Sequence, residues 1–145
     1  MIDFPFVGLA GNIGVGKTTF TEKMAKNLHW TPIYESVSDN PYLNDFYLDM
    51  NRWSFNLQIY FLQRRFQAQK DIIYSNGGVI QDRTIYEDSK IFAKNLYEMG
   101  HLKERDYNTY NDLFIIMTSY LKKPDLIIYL KASTDTLLTR IHSRG

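Results

Sequence analysis

The stretch GLAGNIGVGKTTF, residues 8–20, narrows the possible folds more than any other part of the chain. Gly11, Gly16, Lys17 and Thr18 satisfy G-x-x-x-x-G-K-[ST], a pattern that works only between a strand and a helix. Both flanks are legible. FPFVGLA, residues 4–10, is a short apolar run of the kind that forms a strand buried on both faces. From about 17 to 28, Phe20, Met24 and Leu28 recur at four-residue spacing on one helix face. Glycines let the successive N–H groups of Gly11, Asn12, Ile13, Gly14, Val15 and Gly16 turn inward on phosphate oxygens. The helix N-terminus, through Lys17, Thr18 and Thr19, adds its partial positive charge. Lys17 is expected to reach the β and γ phosphates of a nucleoside triphosphate, and Thr18 to ligate Mg²⁺.

The remaining elements extend this into an open α/β fold. TPIYE (31–35), GGVIQD (77–82) and PDLIIYLKA (124–132) read as three further strands. Helices are expected at 41–49, 52–74, 85–98 and 105–121, with another beginning near Thr134. Strands separated by helices predict a parallel sheet with helices on both faces. With 145 residues, 44% of them hydrophobic, a single domain is expected. No internal repeat, low-complexity run or linker interrupts it.

Charge and composition exclude several functions. Lys plus Arg number 17 against 16 Asp plus Glu, so the net charge of +1 makes no field that would gather nucleic acid or an anionic membrane. With no cysteine, disulfides, thiolate chemistry and cysteine zinc sites are absent. The opening residues lack a signal-peptide pattern and no apolar run is long enough to span a membrane, so a cytoplasmic protein is expected.

A phosphate loop does not by itself separate a kinase from a switch, a motor or a regulatory module. A GTPase would carry N/T-K-x-D and D-x-x-G after the third strand, and neither is present. That strand runs instead into QDRTIYEDS. Asp82, at the strand end, can hold Mg²⁺, and Arg83 can pair with a transferring phosphoryl group or an incoming hydroxyl. Glu35 ends the second strand in the same sense, and ligands in open α/β sheets lie beyond the carboxyl ends of strands. A carboxylate there suits proton removal from an attacking alcohol. Asp82 can also cap its strand beside a solvated Arg83, the lesser reading next to a phosphate loop, whereas in isolation Glu35 reads nearly as well as a helix-capping or loop residue.

The segment RWSFNLQIYFLQRRFQAQK is unusually aromatic for a helix with polar groups. Gln58 and Arg65 are seven residues apart and share one face, with Phe61 and Leu62 beside them. Apolar walls with a few fixed hydrogen-bonding groups make a nucleobase pocket, and Asp88 is a candidate partner for the Arg65 fork. Periodicity alone leaves two readings open, a base pocket or core packing with a polar surface.

Taken together, these residues resemble the deoxyribonucleoside kinase family, nearly end to end. The resemblance rests on GNIGVGKTTF, YESV, RWSFNLQIYFLQRR, DRTIYED…IFAKNLYE and the terminal RIHSRG. DRT and DNPYL look more like the bacterial deoxyadenosine/deoxyguanosine kinase branch. The resemblance implies ATP as donor, Mg²⁺ as cofactor and a homodimer. It implies Glu35 as the base that takes the proton of the sugar 5′-hydroxyl, Arg83 near that hydroxyl and the γ-phosphate, and Asp82 as the acidic residue of the Mg²⁺ site. Tyr47 matches a residue that bonds the 3′-hydroxyl, and Gln58 the base-reading glutamine. Arg65 and Asp88 match a pair kept by members acting on purine or cytosine nucleosides. Trp53 and Phe92 match pocket walls, Phe92 stacking on the base, and Arg140 and Arg144 match lid arginines four residues apart.

The implied reaction is ATP-dependent phosphorylation of a deoxyribonucleoside 5′-hydroxyl, for a purine nucleoside first and deoxycytidine second. Ser36 departs from the family's proline after the base. The chain also ends inside the expected lid, so a C-terminally incomplete domain over 1–145, without its last strand, is expected. A nucleoside monophosphate kinase resembling thymidylate kinase is the enzymatic rival, although a carboxylate at position 35 would repel the acceptor's phosphate. A non-catalytic ATP-binding module is the rival from another class. The apolar residues Tyr86, Phe92, Leu96, Tyr97, Leu113, Phe114 and Met117 exceed what one sheet face covers and suggest the dimer contact.

Overall fold

The computed structural model describes residues 4–12, 14–34 and 39–144, with the backbone alone for Arg144. Of the expected site residues, Ile13 and Glu35 lie outside the described residues. The chain packs as two compact units, one made of Met1–Glu35, Tyr74–Thr84 and Lys123–Gly145, the other of Ser36–Ile73 and Ile85–Lys122.

The first unit holds the expected parallel sheet. Strands β1 (Phe6–Ala10), β2 (Thr31–Ile33), β3 (Val79–Asp82) and β4 (Leu126–Tyr129) lie in the order β2-β3-β1-β4, every neighbour parallel. β1 is buried along its whole length, as its uninterrupted apolar run requires. Helix α1 (Lys17–Leu28) lays Phe20, Met24 and Ala25 over Leu9, Ile80 and Ile128. Leu28, expected on that same face, is 45% exposed, because the helix ends there and the chain turns away at His29. Gly8 is needed for space: a Cβ would fall 2.7 Å from both Ile127 Cδ1 and Thr84 Cγ2. Sequence suggested a strand over 124–132. The strand is shorter, and Leu126, Ile127 and Tyr129 are exposed on it, because it lies at the edge of the sheet of described residues. Helix α7 (Thr134–Arg144) begins on a cap, with the Ser133 hydroxyl accepting the Thr136 N–H at 3.1 Å.

The second unit is helical: α2 (Leu43–Leu48), α3 (Met50–Lys70), α4 (Ile85–Glu87), a π-helical turn (Asp88–Ala93), α5 (Lys94–Glu98) and α6 (Glu104–Thr118). The single helix expected over 85–98 is thus interrupted by a π turn, and the one expected over 52–74 ends at Lys70 and passes into a 3₁₀ turn, Asp71–Tyr74. α3 starts where the Asp49 carboxylate accepts the Arg52 N–H at 3.1 Å. Its buried stripe runs Ser54, Leu57, Gln58, Leu62, Arg65 and Gln69, so polar groups are turned inward along much of one face. Leu62, Ile85, Ala93, Tyr110, Phe114 and Leu121 form the core of the unit.

The apolar excess of the last helices resolves differently from the sequence reading. Phe114 is a core residue, Tyr86 and Met117 pack against it, and Tyr97 stacks on Tyr107 with ring centroids 4.5 Å apart. Helical period puts Tyr110 and Phe114 inside and leaves Leu113, Ile116 and Tyr120 exposed along the outer face of α6 and just past its end.

Candidate functional site

In the first unit the phosphate loop lies between β1 and α1. Gly14 (φ 84°) and Gly16 (φ 100°) take left-handed conformations that side chains avoid, and a Cβ at Gly14 would meet Leu137 O and Ile141 Cγ1 at 3.2 Å. Lys17 is buried, and its ammonium donates to the Gly11 carbonyl at 3.0 Å and the Asn12 carbonyl at 3.1 Å. The loop therefore holds its own lysine at the mouth of the helix. Thr19 is exposed at the first turn, and with Val15, Gly16, Lys23, Arg140 and Ser143 it borders a cleft of about 540 Å³.

Asp82 and Arg83 stand against this loop because β3 is hydrogen-bonded to β1. The Thr18 hydroxyl donates to Asp82 Oδ2 at 2.9 Å, while Asp82 Oδ1 is buried with no hydrogen-bond partner. A hydroxyl beside a carboxylate with an oxygen to spare is a donor set suited to a small hard cation completed by phosphate oxygens and water. These residues fit Mg²⁺. Among the described residues no cluster of three His, Cys, Asp or Glu could hold a metal by itself. Arg83 donates from Nη2 to the Gly11 carbonyl at 3.2 Å, and its own φ of 64° is left-handed although it is not a glycine. Such strain concentrates at working positions.

Arg140, exposed on α7, sends Nη1 to the Gly14 carbonyl at 3.3 Å and the Val15 carbonyl at 3.0 Å. The helix is thereby tied to the loop by backbone acceptors. The side chain of Arg144 lies outside the described residues.

The second unit carries the residues expected to read the acceptor. Arg65 Nε donates to Asp88 Oδ2 at 2.7 Å, with both side chains less than 8% exposed. This is a charge-assisted bond between buried groups. Gln58 is buried two turns earlier on the same face of α3, and its Oε1 has no hydrogen-bond partner. Phe92, on the π turn, is half-buried. Trp53 is half-buried with the Arg52 guanidinium 4.2 Å above its ring and Tyr42 against it. Tyr47, expected at the sugar, is 67% exposed and leans on Phe46.

Sequence reasoning passed over two groups that shape this unit. The Gln69 Oε1 accepts the Ile85 N–H at 3.0 Å and so fixes the start of the segment that carries Asp88. Tyr110 is fully buried in the core. Burial first, and then the negative charge of Asp88, push its phenol well above the usual tyrosine range, with the Ser89 hydroxyl acting in the opposite sense. A polar residue recurring on the apolar stripe of α3 was the available signal for Gln69; Tyr110 looked like any core aromatic.

Comparison with known proteins settles the relationship. The family model for deoxynucleoside kinases matches residues 7–145. The chain belongs to the deoxynucleoside kinase family. Among its relatives in that family, a deoxyadenosine/deoxycytidine kinase of Bacillus subtilis is 48% identical over 141 residues, covering 96% of this chain and 65% of the relative. A deoxyadenosine kinase of Dictyostelium discoideum is 49% identical over 139 residues, covering 96% of this chain and 56% of the relative. The chain thus spans about three-fifths of the length of these curated kinases. Among solved structures, a deoxyadenosine kinase from M. mycoides with bound dATP superposes with a TM-score of 0.82 at 34% identity, covering 97% of this chain and 72% of that one. The same enzyme with the products dCMP and dCDP gives a TM-score of 0.83 at 35% identity, covering 97% and 71%. A parallel sheet with a phosphate loop and flanking helices is therefore the fold of this kinase family.

Proposed function

We propose that the protein phosphorylates the 5′-hydroxyl of a deoxyribonucleoside with ATP, as one kinase domain to which residues 1–145 belong. Deoxyadenosine and deoxyguanosine are the first acceptors and deoxycytidine the next. The buried Arg65–Asp88 pair carries this reading, since a phosphate loop is common to many activities whereas an ion pair on the same helix face as a buried glutamine carbonyl with no hydrogen-bond partner suits the polar edge of a base.

In the proposed reaction Glu35 accepts the 5′-hydroxyl proton as the oxygen attacks the γ-phosphorus. The bond from that phosphorus to the β,γ-bridging oxygen breaks, and ADP and the nucleoside monophosphate result. The N–H groups of residues 11–19, including Ile13, cradle the phosphates, and Lys17 leaves its carbonyls for the β and γ oxygens. Arg83, Arg140 and Arg144 meet the charge on the transferring group. Thr18 and Asp82 would hold Mg²⁺, which when bound neutralises phosphate charge. In the acceptor half, Gln58, Arg65 and Asp88 read the base, Phe92 stacks on it, Trp53 walls the pocket and Tyr47 bonds the 3′-hydroxyl.

A cytoplasmic enzyme is proposed, and no helix among the described residues is long and apolar enough to cross a membrane. A homodimer formed along Leu113, Ile116 and Tyr120 is proposed as its assembly, with the mass of the full-length protein in light scattering as the check. Asp82→Asn is expected to raise the Mg²⁺ concentration needed for half-maximal rate by about tenfold or more. A Mg²⁺ dependence identical to wild type would remove Asp82 from the metal site.

The test of function is transfer from labelled ATP by the full-length protein, offered deoxyadenosine, deoxyguanosine, deoxycytidine, thymidine and deoxyadenosine monophosphate. Transfer to purine nucleosides ahead of thymidine is expected. Transfer only to the monophosphate would mean a monophosphate kinase, and ATP binding with no transfer a silent nucleotide binder.

A further inference from the structure

One cation beside the phosphate loop has no task in the transfer as proposed. The cleft of about 540 Å³ there is walled by the loop itself, by Thr19, Phe20 and Lys23 of α1, and by Arg140 and Ser143 of α7. Thr19 and Lys23 are four residues apart, so they line it from one face of α1. The opposite wall comes close because Gly14 has no side chain: a Cβ there would meet the Leu137 carbonyl oxygen at 3.2 Å. Small-molecule sites span roughly 300–1,000 Å³, so the cleft has room for part of a nucleotide. Its place along the loop says which part. Among the described residues, Lys17, Thr18, Asp82 and Arg83, assigned to the β and γ phosphates and the metal, do not line it. A triphosphate whose far end lies at those residues runs back along the loop N–H groups, and its α-phosphate leaves the loop on the side of Thr19. No acidic residue is among the described residues of the lining. Arg140 is engaged through Nη1 with the Gly14 and Val15 carbonyls, and the Ser143 hydroxyl donates to the Thr139 carbonyl at 3.0 Å. Lys23, exposed at the rim, has no hydrogen bond or ion pair among the described residues.

We propose that Lys23 binds the α-phosphate of the nucleotide donor, raising affinity for the donor without taking part in the transfer itself. The inference rests on the proposed role of ATP as donor. An ammonium is a compact charge on a flexible stem, and at the mouth of a cleft without acids it attracts a phosphate. Its position one turn past Thr19 keeps it away from the γ end, where charge changes during transfer. It therefore binds ground state and transition state alike, and its contribution falls on KM rather than on kcat.

The experiment uses the full-length protein and compares wild type with Lys23→Ala, Lys23→Arg and Lys23→Glu. Values of kcat and KM are measured for ATP at low and high salt, together with KM for deoxyadenosine, inhibition by ADP and thermal melting. Lys23→Ala is expected to raise KM for ATP about fivefold with kcat within about twofold. Lys23→Arg, which keeps the charge, is expected to stay within about twofold of wild type, and Lys23→Glu to raise KM about twentyfold by reversing it. The inhibition constant of ADP is expected to rise by the same factors, since ADP keeps the α-phosphate, while KM for deoxyadenosine stays unchanged. High salt is expected to weaken ATP binding more in wild type than in Lys23→Ala. A loss confined to ATP and absent for ADP would put the ammonium on the γ-phosphate and overturn the inference, as would a fall in kcat at constant KM. A lower melting temperature with unchanged KM would make Lys23 a structural residue and overturn it too. A wild type that transfers from ATP while no Lys23 variant alters ATP or ADP affinity refutes this inference alone. A wild type that takes phosphate from no nucleotide refutes the donor reading and the inference with it.

Discussion

Asp88→Ala is expected to lower unfolding free energy by about 3–5 kcal/mol, because it takes a carboxylate partner from a guanidinium in the interior. The pair includes a short bond at 2.7 Å and both side chains are almost wholly buried. Water cannot take the place of the missing carboxylate without opening the α3 stripe on which Arg65 sits. Urea unfolding of the full-length protein measures the loss, and a fall in Tm of about 10 °C is the corresponding thermal result. The companion variant Arg65→Met/Asp88→Leu, which removes both charges, is expected to recover most of that stability while losing base selection. A single variant as stable as wild type would show that Arg65 finds another buried acceptor.

The second large effect is catalytic. Glu35→Gln keeps the shape of the side chain and removes its ability to take a proton, so kcat is expected to fall by about 10²–10⁴. Nucleoside affinity, measured by calorimetry without ATP, is expected to stay within about twofold, since the substitution leaves the base-reading residues intact. A mutant that turns over at the wild-type rate would pass the role of base to another group. One that loses nucleoside binding in proportion to rate would make Glu35 a binding residue.

How far the chain could be read before folding depended on whether the signal was contiguous. The strand–loop–helix order around the phosphate loop, and α1 with its bounds, were legible because strand, glycines and helix succeed one another from Phe6 to Leu28. Asp82 and Arg83 were legible as a dipeptide at a strand end, but the bond from Thr18 to Asp82 spans 64 residues and needed the β1–β3 register to exist. Arg65 was read from its helical spacing with Gln58 and Asp88 as its candidate partner, but their role as a base-reading pair came from a resemblance, since no spacing rule pairs residues on two helices. The π turn was invisible, since one extra residue per turn leaves no mark on composition. The faces of α6 were misread because apolar residues occupy both sides of it, and only the packing of Phe114 against Tyr86 decides which is the inside. Glu35, the residue on which the proposed chemistry turns, was named from sequence and lies outside the described residues.

The left-handed backbone of Arg83 sets the engineering of stability against the engineering of rate. A residue with a Cβ costs about 1–2 kcal/mol in that conformation and a glycine almost nothing. A search for heat-resistant variants of this protein would therefore be drawn to Arg83→Gly. The gain would come from the backbone of a residue whose guanidinium spans from β3 to the phosphate loop. Selection on thermal survival alone would reward that exchange, and only selection that also scores turnover would keep the arginine.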